Sequence, residues 1–206
     1  MSVTRCLAVA TLLGAAACNS ASRGDDAESP SGASTTQVEP SPNASSPVPP
    51  VSVPMQARAD FTAAPGSGID GHATFFQQPD GVLVQISVQH APPGNKGVHV
   101  HTHGDCSDIR RESMGPHFAP KLEQHGLPSE GADRHLGDLG NISVGADGTG
   151  KLEIKVPAAT LGADDATTFL GRSVVVHAGE DTGAGAQPAG NSGAPLACGV
   201  IHEQGS

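Results

Sequence analysis

The sequence predicts an all-β domain, an antiparallel sandwich or barrel carrying two long functional loops, and three observations lead there. Short runs alternate apolar and polar residues with a period of two, the pattern of half-buried strands. Turn sequences separate these runs, in a chain with 27 Gly and 17 Pro. Aromatic residues make up 2% of the chain, with five Phe and neither Trp nor Tyr. The core must therefore be Val, Leu, Ile and Ala packed between glycine-rich turns, which argues against a long helical bundle.

Composition limits the partners and the folded length. Lys plus Arg is 11 against 21 Asp plus Glu, a formal charge of -10, and this repels nucleic-acid backbones and anionic headgroups. No nucleic-acid partner is expected. Apolar residues are 36% of the 206, but they are unevenly spread, so roughly 150 residues are expected to fold.

Residues 1–18 read as a secretion signal: one positive charge within Met1 to Arg5, then an apolar run from Cys6 to Ala17. That run falls short of the about 20 apolar residues needed to span a bilayer. Ala15-Ala16-Ala17 before Cys18 resembles the bacterial lipobox, whose cysteine becomes the lipidated first residue of the mature protein. Membrane attachment is then through a lipid at Cys18 alone. The alternative is ordinary cleavage after Ala17, releasing a soluble periplasmic protein. Residues 19–54 hold seven Pro and nine Ser with almost no large apolar side chains; they cannot bury enough surface to fold and read as an extended tether.

Strands follow within residues 55–206. Val82, Val84, Ile86 and Val88 alternate with Gln85, Ser87 and Gln89, and Leu152, Ile154 and Val156 alternate with Lys151, Glu153 and Lys155. The turn sequences Gln78-Pro79-Asp80-Gly81 and 146–150 precede these two runs as hairpin connections. Further strands are expected at 56–62, 69–77, 97–102, 173–177 and 199–202. Segments 103–136 and 178–197 break the rhythm, and loops of that length are commonly functional.

The ten histidines are the compositional outlier, imidazole being the commonest protein metal ligand. In Val98-His99-Val100-His101 the two imidazoles emerge on one face of a strand, about 6 to 7 Å apart, where they can converge on one metal. His103 continues the alternation, but Gly104 ends the strand, and His103 is expected at the surface. The first long loop carries His117, His125, His135 and Asp138, a complete tetrahedral set for zinc. His177 ends the Val174-Val175-Val176 strand at the mouth of the second loop. His72, His90 and His202 have no such neighbours and read as surface residues. With Cys6 in the signal and Cys18 at the anchor, Cys106 and Cys198 remain. An exported chain with two cysteines suggests one disulfide, with a zinc pair or two free thiols as alternatives.

The motifs 97–101 (GVHVH), 115–118 (GPHF), 134–141 (RHLGDLGN), 171–177 (GRSVVVH) and 196–201 (LACGVI) occur in that order. They resemble the copper/zinc superoxide dismutases across residues 55 to 206. The resemblance implies an eight-stranded Greek-key barrel and disproportionation of superoxide to dioxygen and hydrogen peroxide. It implies copper at His99, His101, His117 and His177, and zinc at His117, His125, His135 and Asp138, with His117 shared and carrying a proton to the product. Cys106 and Cys198 match the family's disulfide, and Asp181 matches the carboxylate that links a copper ligand to a zinc ligand.

One family residue is absent. Three residues before the second cysteine the family places an arginine that attracts the anion, and here that position is Pro195. Residues 178–197 contain no Lys or Arg. Reduced turnover is the expectation, with Arg110 or Arg111 as a candidate substitute carried in from the first long loop, and two solvated arginines pairing with Asp108 or Glu112 as the alternative. The competing functional reading is a periplasmic protein that buffers or delivers copper and zinc without useful turnover. Apolar alternation alone specifies no surface for self-association.

Overall fold

The computed structural model describes residues 55–121 and 123–205. The expected signal at 1–18, with Cys18, and the tether at 19–54 lie outside these residues. The described chain forms one antiparallel sheet of ten strands: β1 (Gln56–Asp60), β2 (Thr62–Ala63), β3 (Asp70–Gln78), β4 (Gly81–Gln89), β5 (Gly94–His101), β6 (Asp138–Val144), β7 (Gly150–Val156), β8 (Ser173–His177), β9 (Pro195–Val200) and β10 (His202–Glu203). Helical structure among the described residues is limited to three-residue 3-10 turns at Ile109–Arg111, Pro128–Glu130 and Gly183–Gly185.

The strand order is β10-β1-β3-β4-β7-β6-β5-β8-β9-β2. Phe61 alone separates β1 from β2, and Ile201 alone separates β9 from β10. These neighbours in sequence sit at opposite ends of the strand order, so the sheet must curl until its edges meet. The result is a closed barrel whose eight strands of five or more residues match the expected number. Between β4 and β8 the order runs β7-β6-β5, so β7 pairs back with β4 across the intervening pair. That return is the Greek-key connection.

The period-two pattern sorts residues as expected. Val82, Val84, Ile86 and Val88 are buried, along with Val98, Val100, Val174 and Val176. Phe169 packs edge-on against both Phe75 and Phe118, with centroids 6.2 Å apart in each pair. Truncating such a ring costs about 3 to 5 kcal/mol. Val175 points the other way, into a second cluster with Ala64, Ile109, Met114 and Cys198 beneath the first long loop. Both faces of β8 are covered, which accounts for its unbroken valine run.

The expected strand at 173–177 has the observed bounds, and those at 82–88 and 69–77 shift by about one residue, as strand ends do. Three other strands differ. The run expected at 56–62 is split at Phe61, the run at 199–202 begins earlier at Pro195, and the run at 97–102 starts at Gly94 and stops at His101. β6 is an addition to the runs expected from alternation. Its register slips between Val98 and His99, where Gly140 faces Val98 and Asp138 faces His99. Leu139 is the extra residue of a bulge, and a bulge erases the period-two signal.

Candidate metal centre

β5 carries the first half of the site. Val98 and Val100 point into the barrel core, so His99 and His101 project from the outer face, with ring centroids 6.4 Å apart. The first long loop returns to this face. Phe118 N–H donates to Val100 O, Val100 N–H to Gly137 O and Gly137 N–H to Phe118 O, at 2.8 to 2.9 Å. A side chain at 137 would put its Cβ 2.2 Å from Val100 O, so only glycine permits this approach. The disulfide Cys106–Cys198, with Cα atoms 5.6 Å apart, ties the same loop to β9.

These constraints gather seven side chains. The ligand atoms of His99, His101, His117 and His177 lie within 4.8 Å of one another, and so do those of His99, His117, His125 and Asp138. His117 stacks on His99 at 3.9 Å between centroids. His101 Nε2 and His177 Nε2 are 3.3 Å apart. His135 stands beside the second group, its Nδ1 3.3 Å from Asp138 Oδ1, outside the tight four. The expected surface histidines stay outside the cluster: His103, His90 and His202 are exposed and His72 is partly so.

Hydrogen bonds decide which nitrogen each ring offers. His101 Nδ1 bonds to Gly115 O at 2.7 Å and His177 Nδ1 to Gly193 O at 2.9 Å. A carbonyl only accepts, so these nitrogens are protonated and both Nε2 lone pairs face the cluster. His99 is reversed: its Nε2 donates to Asp181 Oδ2 at 2.9 Å, leaving Nδ1 buried without a partner. His125 Nε2 donates to Asp181 Oδ1 at 2.8 Å, while its Nδ1 lies 3.1 Å from Asp138 Oδ2 without hydrogen-bond geometry. Buried nitrogens left open in this way are costly unless something coordinates them, and the donor set of imidazoles with one carboxylate suits copper and zinc.

Asp181 is thus the link between the two groups. Gly190 makes room for it, since a Cβ there would fall 2.2 Å from Asp181 Oδ1 and 2.5 Å from His125 Nε2. Asn141 holds the Asp181 backbone, donating from Nδ2 to its carbonyl at 2.9 Å and accepting its N–H at 2.8 Å. Gln187 does the same for His125, accepting its N–H at 3.0 Å and donating to its carbonyl at 2.8 Å. Neither amide reads as a site residue from sequence, although Asn141 ends the 134–141 motif, because neither side chain has metal chemistry of its own.

Electrostatics follow from this packing. Burial lowers the His99 pKa to about 3, with the Asp181 bond only partly offsetting it, and lowers His177 to about 4. Burial opposes charge on His125 too, but there the two carboxylates prevail and raise it to about 9. Burial alone would raise Asp138 and Asp181; the close imidazoles of His117, His125 and His135 around the first, and bonds from His125 and His99 to the second, hold both well below the usual carboxylate range.

Position 195 adds no cation. Pro195 is buried and stands opposite His177 in the β8–β9 pairing. The Arg110 side chain is exposed and donates to Pro65 O at 2.8 Å, and Arg110 is not among the residues that line the cleft beside the cluster. The side chain of Arg111 is outside the described residues.

Comparison with known proteins agrees with this geometry. The family model for copper/zinc superoxide dismutase matches residues 69–201. The chain is 41% identical over 151 residues to an extracellular Cu-Zn superoxide dismutase of Schistosoma mansoni, covering 70% of this chain and 78% of that one. It is 42% identical over 144 residues to Cu-Zn superoxide dismutase 2 of Brassica juncea, covering 67% and 92%. The crystal structure of the clock protein EA4 superposes with a TM-score of 0.65 at 34% identity, over 73% of this chain and 96% of that one. With the family match running from the start of β3 through the second cysteine, the chain belongs to the copper/zinc superoxide dismutase family.

Proposed function

We propose that this protein disproportionates superoxide with copper held by His99, His101, His117 and His177, and zinc held by His117, His125, His135 and Asp138. The observation that carries this assignment is the position of His117. Both four-residue groups contain His99 and His117, but His99 has given its Nε2 to Asp181 and can offer one nitrogen only. His117 has its Nδ1 2.9 Å from Asp138 Oδ1, and Asp138 belongs to the second group, so that nitrogen faces the zinc set and the opposite nitrogen of the same ring is left for the copper set.

Copper, when bound, supplies a one-electron couple that takes an electron from one superoxide and returns it to another, while zinc is redox-silent. Two superoxides and two protons then give one dioxygen and one hydrogen peroxide. The chain's residues orient the ligands and handle the protons. Gly115 O and Gly193 O fix the tautomers of His101 and His177. Asp181 holds the rings of His99 and His125; such outer bonds orient ligands and raise their basicity. When its copper-facing nitrogen is not engaged, His117 would hold one proton there and pass it to the departing peroxide, the second proton coming from solvent.

Turnover is proposed to be lower than the family pattern implies, because Pro195 replaces the anion-attracting arginine. The protein is proposed to be exported and anchored by a lipid at Cys18, a reading supported by the sequence before residue 55 and by the word extracellular in the name of the Schistosoma relative. Pro195 also favours a second reading, metal buffering or delivery without useful turnover. Superoxide decay after pulse radiolysis, on protein with measured copper and zinc content, tests the two. Decay that accelerates in proportion to copper-loaded protein is expected. Full copper occupancy with decay no faster than in buffer overturns the enzyme and leaves the buffer.

A further inference from the structure

A cleft of about 790 Å³ opens beside the clustered histidines, with His101, His117 and His177 in its wall. Its other charged lining residues are Glu112, Glu123 and Arg172, so Arg172 is the only lysine or arginine that lines it among the described residues. The arginine sits one residue before β8, the strand that ends at His177.

Its guanidinium is fixed by the neighbours of two of those histidines. The guanidinium carbon lies 3.3 Å from the centroid of Phe118, the residue after His117. Its Nη1 donates to the carbonyl of Thr102, the residue after His101, at 3.0 Å, and its Nε donates to Thr168 O at 2.6 Å. The segments that aim two imidazoles into the cleft therefore also hold the charge. A guanidinium has five N–H donors, and those engaged here meet neutral carbonyls. None of the ion pairs among the described residues includes Arg172, so its charge is not cancelled by a carboxylate at contact distance.

We infer that Arg172 supplies part of the anion guidance that position 195 lacks, drawing the anionic substrate toward the His101–His117–His177 wall. This rests on the dismutase reading given above. The contribution is local. At long range the chain's charge of -10 repels an anion, and Glu112 and Glu123 oppose Arg172 within the cleft. A fixed cation on a low-dielectric wall still biases where and how an anion settles.

The test uses the full chain loaded with copper and zinc, with azide as the probe anion, followed by visible absorption and electron paramagnetic resonance. Native protein is compared with Arg172→Gln and Arg172→Lys at several ionic strengths, with metal content and melting temperature measured in parallel. Arg172→Gln is expected to weaken azide binding by about three- to ten-fold and to flatten its salt dependence, the signature of a lost rim charge. Arg172→Lys, which keeps the charge, is expected to stay within about twofold of native. Native affinity and native salt dependence in Arg172→Gln overturn the inference. Equal weakening in both variants, together with a lowered melting temperature, overturns it as well and assigns Arg172 a packing role. Superoxide decay is recorded separately, so a native protein inactive toward superoxide overturns the dismutase reading while the azide comparison still decides on Arg172.

Discussion

Asn141 grips Asp181 by its backbone: the amide nitrogen donates to the aspartate carbonyl at 2.9 Å and the amide oxygen accepts its N–H at 2.8 Å. A side chain on β6 thereby imitates one rung of a sheet ladder and fixes the start of the second loop. Replacing Asn141 with Ala leaves both backbone groups in search of water. The expected cost is about 1 to 3 kcal/mol, seen as a lower denaturation midpoint, with weaker zinc retention against a chelator. An unchanged midpoint would show that the loop holds Asp181 by itself.

Asp181 itself joins two rings that belong to different groups. Asp181→Asn removes the negative charge that both His99 Nε2 and His125 Nε2 donate toward, and an amide cannot accept from both with two oxygens. Metal affinity is expected to fall by about 10- to 100-fold, measured by competition with chelators of known strength. Native affinity for both metals in this variant would remove the linking role.

The Cys106–Cys198 bond closes a loop across a sequence separation of 92. In the chain-entropy model such a loop stabilises the fold by about 4 to 5 kcal/mol, with measured values commonly lower. The Cys106→Ser, Cys198→Ser double variant is expected to unfold at distinctly lower urea concentration and to lose its metals more readily, because the loop carrying His117 is freed at one end. A denaturation curve identical to native would contradict this.

Acid and base should act on the metal-free protein in opposite ways through different histidines. His99 and His177 stay neutral in the fold down to about 3 and 4, whereas in the unfolded chain they take up protons near 6.5. Below that value the unfolded state binds more protons, so stability falls as pH falls toward 4. His125 is raised to about 9; its contribution is complete below 6.5 and is lost as pH rises through about 9. Urea midpoints of chelated protein are therefore expected to be highest near neutrality and lower at pH about 4.5 and about 9.5. A midpoint that does not change between neutrality and pH about 4.5 would contradict the burial argument for His99 and His177.

Much of this was legible beforehand, for physical reasons specific to each element. Val82 to Val88 and Val174 to Val176 announced their burial through spacing, and His99 and His101 announced a shared face because strand geometry leaves no other. The family motifs supplied the eight-strand count. Alternation misses β6, where a bulge at Leu139 shifts the register, and it misses Asn141 and Gln187, whose importance exists only once two distant backbones have met. The placement of Arg110 also escaped it. Sequence puts this arginine near the disulfide, and the fold shows its Nη2 donating to Pro65 O while Arg172 lines the cleft.

The shared role of His117 is best tested by crystals of the loaded protein with anomalous scattering recorded at the copper and zinc absorption edges. Two separate peaks are expected on opposite sides of the residue 117 ring, copper beside His99, His101 and His177, zinc beside His125, His135 and Asp138. A single peak, or two peaks of which neither touches that ring, would contradict the shared role.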